Sequence, residues 1–232
     1  MRTIYKREMK AYFYTPLAYV VMAVFIYFAT MNFRTNLYAQ HGEFRFMFAE
    51  IATLLLIILP ILTMRVMSEE RKNNTEVLLI TSPIRLWQMV LGKYLAVLTI
   101  FAMMMACTIP HQVVAIVFGS PLTMATVGMY VGILFMGALV LAIGLFISSL
   151  TDNQVIAAVV SIITMVVLWS FGTAAQLIGG FVSKVLQWLS IVSRYDNFTK
   201  GIFSITHIVY YLTFIAFFVF LAVQVVEKRR WS

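Results

Sequence analysis

The residues best suited to chemistry in this chain lie together between Arg65 and Arg85. The run Ser68-Glu69-Glu70-Arg71-Lys72-Asn73-Asn74-Thr75-Glu76-Val77-Leu78-Leu79-Ile80-Thr81-Ser82-Pro83 sets acids, bases and apolar side chains side by side, between two long apolar stretches. Seven charged residues fall in the interval 65–85. At roughly 3 kcal/mol for each charge at a bilayer centre, burying them in lipid would cost on the order of 20 kcal/mol. The insert therefore sits in water. Ser68-Glu69-Glu70-Arg71 continues a preceding helix, and Asn73-Asn74-Thr75 supplies a break and an N-cap. Glu76 then falls in the first turn of a new short helix, where the dipole favours an acid. Val77, Leu78 and Leu79 are its apolar knobs, and Pro83 ends it. Exposed leucines flanked by charge mark a docking surface, so the chemistry is recognition of another protein. The alternative is a helical hairpin whose leucines fold back on the membrane.

Catalytic and metal chemistry find little support. No Gly-x-x-x-x-Gly-Lys-Ser/Thr phosphate loop occurs, so this chain is not expected to bind ATP itself. His41, His111 and His207 stand apart, without a second ligand at metal spacing, and no metal site is expected. Glu50 is the one acid inside an apolar run. It reads as an interfacial acid paired with Arg45 or a neighbouring base, against the alternative of a substrate or proton contact. Pro110-His111-Gln112 interrupts a third apolar stretch, either kinking a helix or marking its protrusion into water. Gly128-x-x-x-Gly132 permits close helix contact, but the pattern is common by chance. Asn197-Phe198-Thr199 matches a glycosylation acceptor, an equally common triplet. Cys107 is the single cysteine, which excludes an intramolecular disulfide and leaves a small packing residue.

The elements that must position the insert follow from the uncharged runs. Of 232 residues, 62% are hydrophobic and only 11% charged, against about 25% charged in a soluble domain. A span needs roughly 20 apolar residues. The 58 uncharged residues from Tyr94 to Thr151 hold two spans, and the 31 from Asn153 to Ser183 hold one. The expected fold is all-α: a single polytopic domain over 1–232 with six transmembrane helices at 17–33, 46–64, 88–118, 122–150, 155–178 and 202–226. The first run has no small-x-small cleavage site after it and reads as a retained span. Between the spans lie a loop at 65–87, which carries the insert, and a segment at 179–201. That segment is too short and too charged to cross, and reads as an interfacial or re-entrant helix. A tail covers 227–232. Residues 1–15 place Ile4, Tyr5, Met9, Tyr12 and Phe13 at helical spacing, with Arg2, Lys6, Arg7 and Lys10 on other faces. They read as an interfacial elbow helix, separated from the first span by Pro16. It would anchor to anionic lipid, touch a cytoplasmic partner, or both.

Orientation follows from the bases. Six spans put both termini on one side. That side, with the 65–87 loop and the first turns of the third span, holds twelve Lys and Arg against five on the other, which places the termini and the insert in the cytoplasm. The net charge of +8 is accounted for by this bias, and no nucleic-acid partner is expected. No water-exposed stretch exceeds roughly the length of one span, so any catalytic domain belongs to another chain.

The insert, followed by Trp87-Gln88 and Leu91-Gly92-Lys93-Tyr94, resembles the coupling segment of ABC-2 type transporter permeases. The nearest are the gliding-motility (GldF-like) and nitrous-oxide-system (NosY-like) permeases. Lys6-Arg7-Glu8 with Phe13, Pro16 and Tyr19 is similar to their opening segment. Leu189-Ser190 through Tyr195-Asp196-Asn197-Phe198-Thr199-Lys200-Gly201, leading into Tyr210-Tyr211, is similar to the loop before their last span. The resemblance implies a permease subunit of an ATP-driven transporter in the cell inner (plasma) membrane, without its own catalytic site. Two permease chains, identical or different, would pair, each docked on a separate ABC ATPase that carries the ATP and Mg. The residues implied to couple the two are Glu69, Glu70, Arg71, Asn74, Thr75, Glu76, Val77, Leu78, Leu79 and Pro83. Asn74 stands where many relatives have Gly, and Asn also tolerates the left-handed conformation a helix end needs. The loop at 32–45 is shorter than in many gliding-type relatives. A mechanotransmitter of the same architecture, acting through an outer-face auxiliary protein, is one alternative. An ion-coupled secondary transporter or channel is another, but it calls for mid-membrane acids or broken helices that this sequence almost lacks.

Overall fold

The computed structural model describes residues 1–38, 45–72, 85–118, 123–178 and 180–230. Among them every regular element is a helix: α1 (Arg2–Tyr14), α2 (Pro16–Tyr38), α3 (Arg45–Thr63), α4 (Arg65–Lys72), α5 (Leu86–Ala106), α6 (Ile109–Val117), α7 (Met124–Leu150), α8 (Gln154–Ile178), α9 (Gly180–Leu189), α10 (Ile191–Thr199) and α11 (Ile205–Arg230). Helix is the form that satisfies each backbone N–H and C=O within its own segment, which hydrocarbon demands. Among the described residues six stretches are long and apolar enough to cross a membrane: α2, α3 with α4, α5 with α6, α7, α8 and α11.

Helix α7 is the axis of the bundle. It packs against α3, α4, α5, α8, α10 and α11. Of its most apolar stretch 78% is buried, against 22% for α8, although the mean hydropathies, 2.6 and 2.4, are almost equal. Hydropathy alone does not choose the central helix, because lipid tails are as apolar as leucine. Close approach does. A Cβ on Gly128 would overlap the backbone carbonyl of Phe198, and one on Gly132 would lie 2.8 Å from Phe198 Cβ. The Gly128-x-x-x-Gly132 pair is thus the seat of α10. Twelve residues beyond Gly132 on α7, a Cβ on Gly144 would overlap the Thr63 hydroxyl, so the end of α3 presses equally close.

Two spans are broken. The second breaks at Met64, between α3 and α4, four residues after Pro60. The third breaks at Cys107 and Thr108, just ahead of Pro110, rather than running unbroken over 88–118. Pro110 has no N–H to give back to the preceding turn. Thr108 holds the joint: its backbone N–H and its hydroxyl both donate to the Met105 carbonyl, at 3.1 and 2.7 Å, and its own carbonyl accepts from Tyr130 Oη at 3.2 Å. Gly180–Leu189 and Ile191–Thr199 are two short helices, α9 and α10, rather than the single interfacial or re-entrant helix that the sequence suggests for this region. Tyr210 Oη donates to the Leu189 carbonyl at 3.0 Å, and Tyr211 Oη to that of Ile191 at 2.9 Å, which satisfies the carbonyls at the joint.

Candidate functional site

Helix α1, helix α4, the start of α5, the end of α7, the turn before α8 and the end of α11 meet at the end of the bundle that carries the N-terminus. Glu69, Glu70 and Arg71 are consecutive on α4, and the helix turns each about 100° from the last. They consequently reach three different neighbours.

Glu69 folds back along its own helix and takes a two-pronged contact from Arg65, Nε at 2.7 Å and Nη2 at 2.9 Å. Arg65 Nη1 donates to Thr15 Oγ1 at 2.9 Å, at the corner between α1 and α2. Its guanidinium carbon lies 5.5 Å from the centre of the Tyr12 ring. Tyr12 is buried and donates to the Leu62 carbonyl at 2.8 Å. Burial, followed by the nearby Glu8 carboxylate, pushes the Tyr12 phenol above its usual range, so it stays a neutral donor.

Glu70 turns toward α1 and α5. One carboxylate oxygen is 2.8 Å from Lys93 Nζ, and the other accepts from Arg7. Lys93 also lies 3.3 Å from Glu8 Oε1 and donates to the Val66 carbonyl at 2.7 Å. Arg7 Nη2 closes the ring on Glu8 at 3.0 Å. The Lys93 side chain is 0% exposed, and its ammonium lies within 3.3 Å of a carbonyl and two carboxylates. Two cations and two anions cancel, and this mutual satisfaction is what lets ions sit away from water. Partial burial works against the Arg7 charge, but Glu8 and Glu70 more than offset it and hold its pKa above the usual value.

Arg71 points the other way, 2.6 Å from Asp152 Oδ1 in the turn between α7 and α8, and donates to the Leu150 carbonyl at 3.2 Å. Arg229, near the end of α11, donates to the Ser149 carbonyl. Beneath α4 the Ser148 hydroxyl mends the break at Met64. It donates to the Met64 carbonyl at 3.0 Å and accepts from the amides of Met67 at 3.2 Å and Ser68 at 3.3 Å. Helix α4 therefore begins on a side chain of α7.

Of the residues the sequence singles out, Glu69, Glu70 and Arg71 are placed in this junction; Asn74, Thr75, Glu76, Val77, Leu78, Leu79 and Pro83 lie outside the described residues. Lys93, Glu8, Arg7, Ser148 and Asp152 complete it and were not singled out as site residues. Glu8 had a signal of its own, since it shares one helical face with Ile4 and Tyr12, and all three are buried. Glu50 is exposed on α3 and pairs with no described side chain. His111 Nε2 meets Thr30 Oγ1 at 2.9 Å and so ties α6 to α2. Among the described residues no group of His, Cys, Asp and Glu is placed to hold a metal ion.

A second polar cluster occupies the opposite end. Arg194, on α10, lies 3.9 Å from the centre of the Tyr210 ring and 5.9 Å from that of Trp188. It donates to the Trp188 carbonyl and to His207 Nδ1, each at 3.3 Å. A guanidinium only donates, so His207 Nδ1 is an acceptor. Ring faces and a carbonyl, rather than a described carboxylate, meet this charge, and the contact joins α9, α10 and α11.

Six apolar helices make this a multi-pass membrane protein. No curated protein matches the chain. A family profile described as "ABC-2 family transporter protein" matches residues 5–168, from α1 to the middle of α8. Members of that family are membrane subunits, generally non-catalytic, that partner with an ABC ATPase subunit. The match takes in α1, α4 and the start of α5, the elements that build the Glu70–Lys93 junction, and it covers well over half of the chain. The protein therefore belongs to the ABC-2 transporter family and is a membrane component of an ABC transporter.

Proposed function

We propose that this chain is a permease subunit whose segment from Asn74 to Pro83 seats on a separate ATPase and receives the stroke of ATP hydrolysis. One observation carries the reading: both flanks of that segment are bound into one ionic cluster. Glu70 lies two residues before the last residue of α4, and Lys93 lies eight beyond Arg85, where the described chain resumes. The two are in contact at 2.8 Å, with Arg7 and Glu8 of α1 around them. A push on the intervening segment is delivered to the second span, the third span and α1 together. Glu76 makes the charged contact with the ATPase, and Leu78 and Leu79 fill its apolar cleft. The basic end of the bundle faces the cytoplasm, and the membrane is the inner (plasma) membrane. Two permease chains pair, and ATP-driven closure of their ATPases moves the spans so as to export a substrate. The resemblance of the insert points to the gliding-motility and nitrous-oxide-system branch of the family. The test is co-expression with the cognate ATPase, followed by replacement of Glu76 or of the Leu78-Leu79 pair by alanine. Loss of the complex and of coupled ATP turnover is expected. Undiminished complex formation and turnover would overturn the proposal.

A further inference from the structure

Every charged side chain exposed on α1 is basic. Ile4, Glu8 and Tyr12 form its buried stripe, and Tyr5 donates to Thr99 Oγ1 at 3.1 Å, so the apolar side is taken up by protein. What remains is a groove of about 530 Å³ lined by Arg2, Thr3, Lys6, Arg7 and Lys10. No acid lines it; Arg7 is paired behind it with Glu8 and Glu70, so the charge the groove offers comes from Arg2, Lys6 and Lys10.

The place of this groove follows from the spans beside it. Helix α1 leads through Thr15 directly into the first span, Pro16–Leu37. It also rests on Gly92, in the second turn of the third span, with Ile4 side-chain atoms 3.3 Å from the position of a Cβ there. Helix α1 thus sits at the end of the apolar spans, where hydrocarbon gives way to headgroups. Tyr14, 86% exposed beyond the basic groove, is the kind of aromatic residue that collects at that level.

We infer that the Arg2–Thr3–Lys6–Arg7–Lys10 groove binds the phosphate of an anionic phospholipid of the surrounding bilayer. Charge complementarity selects the headgroup, and the height of α1 selects the lipid over a soluble phosphate. Each Lys or Arg near an anionic membrane surface contributes about fivefold in affinity. Arg2, Lys6 and Lys10 together therefore give a preference on the order of a hundredfold if they act independently.

Native mass spectrometry of the delipidated full-length protein in neutral detergent tests this. It is titrated with phosphatidylglycerol, with phosphatidylcholine of the same acyl chains, and with inorganic phosphate. The wild type is expected to prefer phosphatidylglycerol strongly, and inorganic phosphate at equal concentration to leave it bound. The variant R2Q/K6Q/K10Q should bind the two lipids almost equally. Lys6→Gln alone, which alters one exposed side chain, should lose roughly fivefold. Lys184→Gln, a loss of charge at the other end, should keep the full preference. Equal binding of both lipids by the wild type would overturn the inference. So would an undiminished preference in the triple variant, a matching loss in Lys184→Gln, or displacement of the lipid by inorganic phosphate.

Discussion

Replacing Lys93 by methionine removes one charge from a cluster of four and leaves the rest where they are. Glu8 and Glu70, with side chains 11% and 16% exposed, would then share Arg7 alone and carry a net negative charge away from water. The Val66 carbonyl would lose its 2.7 Å donor as well. Breaking a buried ion pair by deleting one partner costs about 3–5 kcal/mol, because the remaining charge is uncompensated. The expected loss for Lys93→Met is in that range. Substituting leucine for Glu8 and Glu70 in the same protein should restore most of it, since no ion would then be left buried, and Arg7, 47% exposed, can turn to solvent. Reversible unfolding of the purified protein in mixed micelles, followed by fluorescence of its four tryptophans, measures both effects. Salt should alter the difference little, because buried pairs are poorly screened. A loss below about 1 kcal/mol for Lys93→Met, or a triple variant no more stable than the single one, would refute the electrostatic account of the junction.

Two further outcomes are expected. Gly128→Ala should destabilise the fold by about 1–3 kcal/mol, because the new methyl group meets the Phe198 backbone and not a movable side chain; the same unfolding assay checks it. Arg71 and Asp152 are one-third and nearly two-thirds exposed, so a double-mutant cycle with Arg71→Ala and Asp152→Ala should return a coupling below about 1 kcal/mol in spite of the 2.6 Å contact.

The spans are legible in the sequence because hydrocarbon tolerates only long uncharged helices, and the run from Tyr94 to Thr151 announces two of them without any tertiary information. Glu69, Glu70 and Arg71 stand out for the converse reason: charges at the edge of an apolar run need water or partners. Their partners do not stand out. Glu70 meets Arg7 63 positions away, and nothing local ranks that pairing above others among the bases at this end of the bundle. Lys93 counts as one base among twelve for orientation, yet its side chain is fully buried. Gly128-x-x-x-Gly132 is too common a pattern to be informative until Phe198 is seen lying on it. At the joint between α9 and α10 the carbonyls of Leu189 and Ile191 are met by two tyrosine hydroxyls supplied by α11. In each case the deciding contact comes from a distant part of the chain, whereas periodicity reports only on neighbours.

The joint at Met64 makes α3 and α4 behave as a rod with a swivel. In an unbroken helix, turning one end relative to the other ruptures several backbone hydrogen bonds at once. Here the Met64 carbonyl accepts from the Ser148 hydroxyl on α7 as well as from the Ser68 hydroxyl of α4, and the Met67 and Ser68 amides donate to that same Ser148 oxygen. A hydroxyl rotates freely about its bond and can follow small displacements of its partners, so α4 can change its tilt at a cost of about one hydrogen bond, roughly 1 kcal/mol. The same hydroxyl fixes the pivot on the central helix, and whatever turns α4 must turn it about α7.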